Sequence, residues 1–423
     1  MNNCKDSENT TKKLWTKDFT CITAATVLSA IGGEAMNLPV SLLIFDETGS
    51  AFLSAIIMIC GMLPDIILPI FVAPLIDRGA KKRWIVGLDV LQTMVFIGMG
   101  FLVSGEGFIF IVYPLFVLIT ATISVFYRLA YSAWYPDLIP VGAEQKGYAV
   151  SSTLYPLVTI AMSPIAAFLY EKIAIENIFF IVAALSAFSV LIENCIREDG
   201  KKERQSYTFR EYCADMKAGF LYLQKEKGIR NIYTYMGITQ GSSEGIALIT
   251  QFYYQTSSFL NVTMLGFLKS AEMAGRVLSG LFHYKKEIPV KKRFAFTKFV
   301  YFFYSLMDIL LLFMPYPVML VNRFVCGGLG TASATIRESA VQSYLPEEMR
   351  ARVNAFFNSL FALGGVSFQF LTGILAQMIP YRAAAILLSV LTIGSMFFLI
   401  VRPKAENRAV YEAVRKERYE KTG

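Results

Sequence analysis

The chain has 423 residues, 55% of them hydrophobic and only 17% charged, with a mean hydropathy of +0.49. A water-soluble globule of this length carries more charge, and a single histidine, His283, argues against a histidine-based metal site or a nucleophile–His–acid triad. The net charge of +8 does not point to nucleic acid, because the basic residues lie between apolar segments, where they report membrane topology.

Crossing the hydrocarbon takes about 20 apolar residues per helix. Residues 1–17 are polar, and the apolar run after them is too long for a signal peptide, so it is expected to be the first span. Twelve spans are predicted, near 18–44, 51–76, 84–104, 108–134, 147–170, 177–196, 230–255, 262–283, 294–314, 318–343, 352–378 and 383–402. Between the sixth and seventh lies the one long polar linker, 197–229. In it Phe209, Tyr212, Met216, Phe220 and Leu223 recur at helical spacing. An amphipathic helix is expected there, either on the membrane surface or packed on the bundle. The reading is an N-terminal segment (1–17), a six-helix bundle (18–196), the linker (197–229), a second six-helix bundle (230–402) and a basic tail (403–423).

The loops alternate in charge. One side carries Lys12, Lys13 and Lys17, then Arg78, Lys81, Lys82 and Arg83, then Lys291, Lys292 and Arg293, then Arg350, Arg352 and the tail. The other carries almost only Lys172 and Arg382. By the positive-inside rule the basic side, with both termini, is cytoplasmic. The halves also echo each other: aligned on Pro140 and Pro346, Lys146 matches Arg352, Ala149 matches Ala355 and Leu154 matches Leu360. A parallel repeat of six-span halves is the architecture of two-domain transporters.

Several stretches carry a family resemblance. "LSAIGGEAMNLPVSLLIFDETGS" has Ser29, Gly32 and an acid, Glu34, before Thr48-Gly49-Ser50. "APLIDRGAKKR" keeps Asp77, Arg78, Lys81 and Lys82 of a Gly-x-x-x-Asp-Arg-x-Gly-Arg-Lys motif, with Ala73 and Ala80 in place of glycines. "PDLIP" (136–140), "LPEEMRARV" (345–353) and, in part, "SPIAA" (163–167) complete the set. The chain resembles transporters of the major facilitator superfamily, most of all the branch with macrolide-efflux proteins and the enterobactin exporter. The resemblance implies an all-α fold of two pseudo-symmetric six-helix bundles. It also implies that spans one, four, seven and ten line a central cavity, and that the loop after span two is a cytoplasmic latch. Asp77, Arg78, Lys82 and, from the repeated loop, Arg352 are assigned to that latch, against a plain reading as positive-inside charge.

A charge at the bilayer centre costs about 2.5–3.5 kcal/mol on insertion scales, so such residues face a cavity or a partner. Glu34, with Asn37 one turn on, is the first candidate for a proton or substrate carboxylate; the alternative is a fixed hydrogen bond to a neighbouring helix. Glu244 is its counterpart in span seven. Glu272 lies with Lys269 and Arg276 on one face of span eight, either self-neutralised or exchanging partners during transport. Arg128 either snorkels or pairs with an acid. Asp65, Asp308 and Arg323 rank lower, with Asp308 expected to be a helix-packing group. The glycines Gly327, Gly328 and Gly330 are expected to pack helices. Aromatics such as Phe252, Tyr253, Tyr254, Phe356 and Phe357 either line a greasy cavity or face lipid.

The expected function is secondary active export of small amphipathic molecules, driven by a proton gradient. No cofactor, metal, nucleic acid or obligate protein partner is expected beyond substrate and lipid. No Gly-x-x-x-x-Gly-Lys-Ser/Thr loop is present to bind nucleotide. Import, facilitated diffusion or a non-transporting sensor on the same scaffold are the alternatives.

Overall fold

A computed structural model of the chain describes residues 14–69, 72, 76, 80–140, 143–197, 209–285 and 288–413. The first group of helices is α1 (Lys17–Thr48), α2 (Ala51–Ile67), α3 (Lys81–Glu106), α4 (Val112–Leu138), α5 (Glu144–Lys172) and α6 (Ile175–Asn194). Then come α7 (Phe209–Lys225) in the linker, α8 (Lys227–Thr256), α9 (Val262–Lys285), α10 (Val290–Leu311), α11 (Tyr316–Tyr344), α12 (Glu347–Met378) and α13 (Tyr381–Met396). A π-helical turn, Phe397–Val401, and a short α14 (Lys404–Tyr411) follow. Each predicted span falls on a helix among the described residues; the second, 51–76, runs past the end of α2 into residues outside them. Several helices run further than predicted, because they continue past the apolar stretch into polar ends.

Local chemistry sets the first hairpin. Thr16 caps α1 by accepting the Phe19 amide, and Asp18 sits in the first turn, where a negative charge is favoured. Gly49 ends the helix at φ 62°, a left-handed conformation that suits glycine, and its N–H bonds the Phe45 carbonyl. Ser50 then caps α2 by accepting the Leu53 amide. The Thr-Gly-Ser run is therefore a stop signal followed at once by a start signal.

Among the described residues, eight helices are long and apolar enough to cross a membrane: α1, α3, α4, α5, α6, α10, α12 and α13 with its π-turn. Helices α8, α9 and α11 are 30, 24 and 29 residues long but fall short of that apolarity. They carry Glu244, then Lys269, Glu272 and Arg276, then Arg323 and Arg337. Large side chains such as Phe101, Leu191, Phe282 and Phe398 lie exposed on the outside, as a lipid-facing surface requires.

Packing within each group is tightest where α3 meets α6, α9 meets α11 and α8 meets α12. Glycines make the last two crossings possible. A Cβ on Gly327 would run into the Glu272 carbonyl, and one on Gly364 into that of Gly237. The groups meet chiefly through α5 on α9 and α2 on α12. Linker helix α7 packs on α12 and α8 rather than lying free: Leu223 is buried, and the Phe220 and Phe356 rings are 5.7 Å apart. The tail also docks, which the sequence did not suggest. Asn407 donates to the carbonyls of Leu399 and Ile400, which the π-turn leaves open, and the Tyr411 and Tyr301 hydroxyls are 2.7 Å apart. Burial, reinforced by Tyr301, pushes the Tyr411 phenol well above its ordinary range.

Candidate transport site

The halves are zipped at the end of the bundle away from the termini. Ser41 donates to Gln251, which returns a bond to the Ser41 carbonyl (2.9 and 3.1 Å). Gln255 donates to Asp46 (2.8 Å), Gln377 to Ser50 (2.6 Å), and Thr263 to Glu171 through both its N–H and hydroxyl. The Phe45 and Phe252 rings stack 4.6 Å apart in the same layer. Deeper in, Ser270 donates to the Ile160 carbonyl (2.7 Å). Beyond it, towards the termini, no hydrogen bond joins the halves among the described residues. The described hydrogen bonds between the halves therefore gather at the end away from the termini, with a cleft between the helices deeper in.

Glu34 lines one cavity between the helices and Glu244 another, at matching positions along α1 and α8. Glu34 is 17 residues past Lys17, the start of α1, and Glu244 is 17 past Lys227, the start of α8. Thr159 of α5 donates to Glu34 (3.0 Å), so the hydrogen bond to a neighbouring helix exists. Gln240 and Gln369 donate to Glu244 (2.8 and 3.5 Å). Lys269 of α9 is directed into the same space, where it interacts electrostatically with Glu34 from one half and with Glu244 and Glu272 from the other. It forms no ion pair within 4.0 Å among the described residues, whereas Glu272 pairs with Arg276 at 2.6 Å. The Lys269–Glu272–Arg276 set is thus self-neutralised only in its second half. Three carboxylates against two cations leave this part of the cleft with one surplus negative charge.

A cavity of about 610 Å³ opens beside Glu34, lined by Asn37, Asp89, Gln92, Tyr127, Arg128 and Tyr155 among others. A smaller one of about 180 Å³ lies beside Glu244, Lys269 and Glu272. Arg128 does not snorkel: it pairs with Asp65 of α2 at 2.5 Å, in the open cleft. Asp308 and Arg323 form a buried pair, also at 2.5 Å, and Arg323 donates further to Asn322. Asp308 is the helix-packing group expected. Phe252 and Tyr254 are fully buried in packing, so neither faces lipid or lines the cavity.

Of the latch residues, Asp77 and Arg78 lie outside the described residues, as does the side chain of Arg352. Lys82 donates to the carbonyls of Asn194 and Ile196 (2.9 and 2.7 Å), capping α6 of its own half. Lys81 pairs with Asp137 of α4 at 3.0 Å. In this conformation both tie the first helix group together. Thr159 and Gln369 were not singled out in the sequence, since uncharged polar residues in a span carry no signal without a partner in view.

The sequence profile of the Major Facilitator Superfamily matches residues 22–314 and 295–419. The chain belongs to this superfamily. It is a multi-pass membrane transporter and not an enzyme. Macrolide efflux protein A of Streptococcus pyogenes is 24% identical over 287 residues, covering 65% of this chain and 69% of that protein. Among solved structures, a POT family transporter in complex with 5-aminolevulinic acid aligns with a TM-score of 0.68 at 12% identity, over 92% of this chain and 96% of that one. The nucleoside transporter NupG aligns with a TM-score of 0.65 at 13% identity, over 92% and 100%. At such identities these structures speak for the fold alone.

Proposed function

We propose that this transporter is a proton-coupled exporter of small amphipathic, preferentially cationic molecules, working by alternating access in a bacterial cytoplasmic membrane with both termini inside. The observation that carries the reading is Glu34 and Glu244, one from each half at matching positions in α1 and α8, each lining a cavity between the helices, with Lys269 beside Glu244 and without an ion pair among the described residues. A proton or a cationic substrate arriving at either carboxylate releases Lys269 to the other. Such exchange makes the two occupancies compete, which is what antiport requires. The likeness to a macrolide efflux protein supports export, and the loop charges support the orientation. On this reading the far end, held by the bonds between the halves, is the outer gate, and the cleft faces the cytoplasm to load. The pairs Ser41–Gln251 and Gln377–Ser50 must part for release. An imposed potential of about 100 mV supplies about 2.3 kcal/mol per charge moved, enough to drive a useful gradient.

The test is accumulation of a fluorescent cationic dye and a labelled macrolide in an efflux-deficient bacterium, with and without a protonophore. Lower accumulation that the protonophore reverses is expected, and Glu34→Gln is expected to abolish it. Accumulation equal to the empty vector for both compounds, or unchanged efflux in Glu34→Gln, overturns the reading.

A further inference from the structure

Two acids sit at the wall of the larger cavity without an ion pair among the described residues. Asp89 of α3 is 6% exposed and Glu193 of α6 is fully buried. Tyr127 of α4 donates its hydroxyl to Glu193 Oε1 (3.0 Å). The remaining oxygens, Asp89 Oδ2 and Glu193 Oε2, are buried without any hydrogen-bond partner. Their helices, α3 and α6, are among the most tightly packed in the structure, and Ser186, two turns before Glu193, bonds the Asp89 carbonyl. Their surroundings are neutral hydroxyls: Ser189 bonds the Asp89 side chain, and Ser186 contacts both the Asp89 carbonyl (3.3 Å) and Thr93 (3.0 Å).

The groups lining this cavity from the other helices supply one cation, Arg128, and it is paired elsewhere. Helix α1 contributes Glu34, another acid; α4 contributes Tyr127, Tyr131 and Arg128; α5 contributes Tyr155. Arg128 is already engaged by Asp65 of α2. Two adjacent carboxylates in hydrocarbon, both short of hydrogen bonds, are not a stable ground state. Like charges that share a site hold a proton between them. The pair also has access to water, because Asp89 and Tyr127 both line the 610 Å³ cavity while Glu193 lies behind them.

We propose that Asp89 and Glu193 form a proton-binding site in the first helix group, separate from Glu34, that loads from the cavity through Asp89. A hydronium ion in the cavity gives its proton to a carboxylate oxygen of Asp89 and leaves as water. The Tyr127 hydroxyl keeps its proton and holds Glu193 in place. Glu34 accepts a hydrogen bond from Thr159, whereas Asp89 and Glu193 each keep a buried oxygen without a partner, which a shared proton would satisfy. Proton occupancy stands on the geometry alone, and its role in turnover rests on the proton-coupled reading above.

The experiment is infrared spectroscopy of the purified full chain in lipid nanodiscs, titrated with acid and base in H₂O and D₂O, beside dye efflux with and without protonophore. The wild type and Glu34→Gln are expected to show a protonated-carboxyl stretching band at neutral pH that shifts in D₂O. Asp89→Asn and Glu193→Gln are expected to lose it, binding about one proton fewer per chain across the titration. Asp89→Glu, which keeps the carboxyl, serves as the check on folding and is expected to retain the band. A band unchanged in both Asp89→Asn and Glu193→Gln overturns the site. A band lost in those variants, with wild-type efflux indifferent to protonophore, upholds the site and removes proton coupling instead. A wild type without the band but with protonophore-sensitive efflux removes the site and leaves the coupling.

Discussion

Replacing Asp308 by asparagine preserves shape and removes the one charge that neutralises Arg323 in the second helix group. The side chains are 7% and 9% exposed and 2.5 Å apart. At an effective dielectric of about 20 the attraction is about 6–7 kcal/mol, much of it offset by the cost of taking both ions out of water. Removing one partner of such a pair typically costs about 3–5 kcal/mol, because the other charge is left buried. Asn322 still accepts from the guanidinium at 3.0 and 3.2 Å, so the lower end, about 3 kcal/mol, is expected. For a unit of this size that lowers the melting temperature by about 6–12 °C. Tryptophan fluorescence is a poor reporter, because Trp15, Trp84 and Trp134 all lie in the first half. Cys326 is fully buried, with its sulfur 3.7 Å from Arg323. Its labelling by a thiol-reactive fluorophore on heating, with the other cysteines replaced, reads the right region. The double variant Asp308→Asn with Arg323→Met should recover most of the loss, since an apolar side chain needs no counter-ion. A single variant that melts with the wild type, or a double variant that melts lower than the single, refutes the reasoning.

Lys269→Gln removes a cation from the cleft and leaves Glu34, Glu244 and Glu272 facing Arg276 alone; apparent affinity for a monocationic dye should rise about tenfold while that for a neutral substrate stays level, measured as concentration-dependent efflux. Equal shifts for both substrates would count against the charge argument. Gly275→Ala places a Cβ on the Phe324 carbonyl, so α9 and α11 must separate; a loss of about 1–3 kcal/mol is expected in the same thermal assay, and Gly280→Ala, which meets open space, should cost nothing measurable. Cysteines in place of Ser50 and Gln377, whose side chains are 2.6 Å apart, should cross-link under mild oxidation and stop transport until a reductant is added. Continued transport in the cross-linked protein would show that this end need not open.

Periodicity and loop charge made the twelve spans and their alternation legible, because a helix in lipid must satisfy its own backbone and its length is set by the bilayer. The same logic picked out Glu34, Glu244, Glu272 and Arg128 as charges out of place. Applied without exception it also reaches Asp89 and Glu193, which stand inside predicted spans 84–104 and 177–196. They lie on the third and sixth spans, outside the set of candidates read from the sequence.

Partnership was another matter. The sequence offered Lys269, Glu272 and Arg276 as one helix-face ladder, yet the fold keeps only Glu272–Arg276 and turns Lys269 to two carboxylates on other helices. It could not say that Arg128 finds Asp65, or that Lys82 caps α6 within its own half. Nor could it say that α7 and α14 dock on the bundle. Hydrophobic pattern and loop charge are properties of each segment against its solvent, so the chain alone marked out the membrane-entering helices and the charge alternation of the loops between them. Which charges meet depends on helix rotation and on glycine-permitted approaches such as Gly327 against Glu272, and those are settled only when helices distant in sequence pack together.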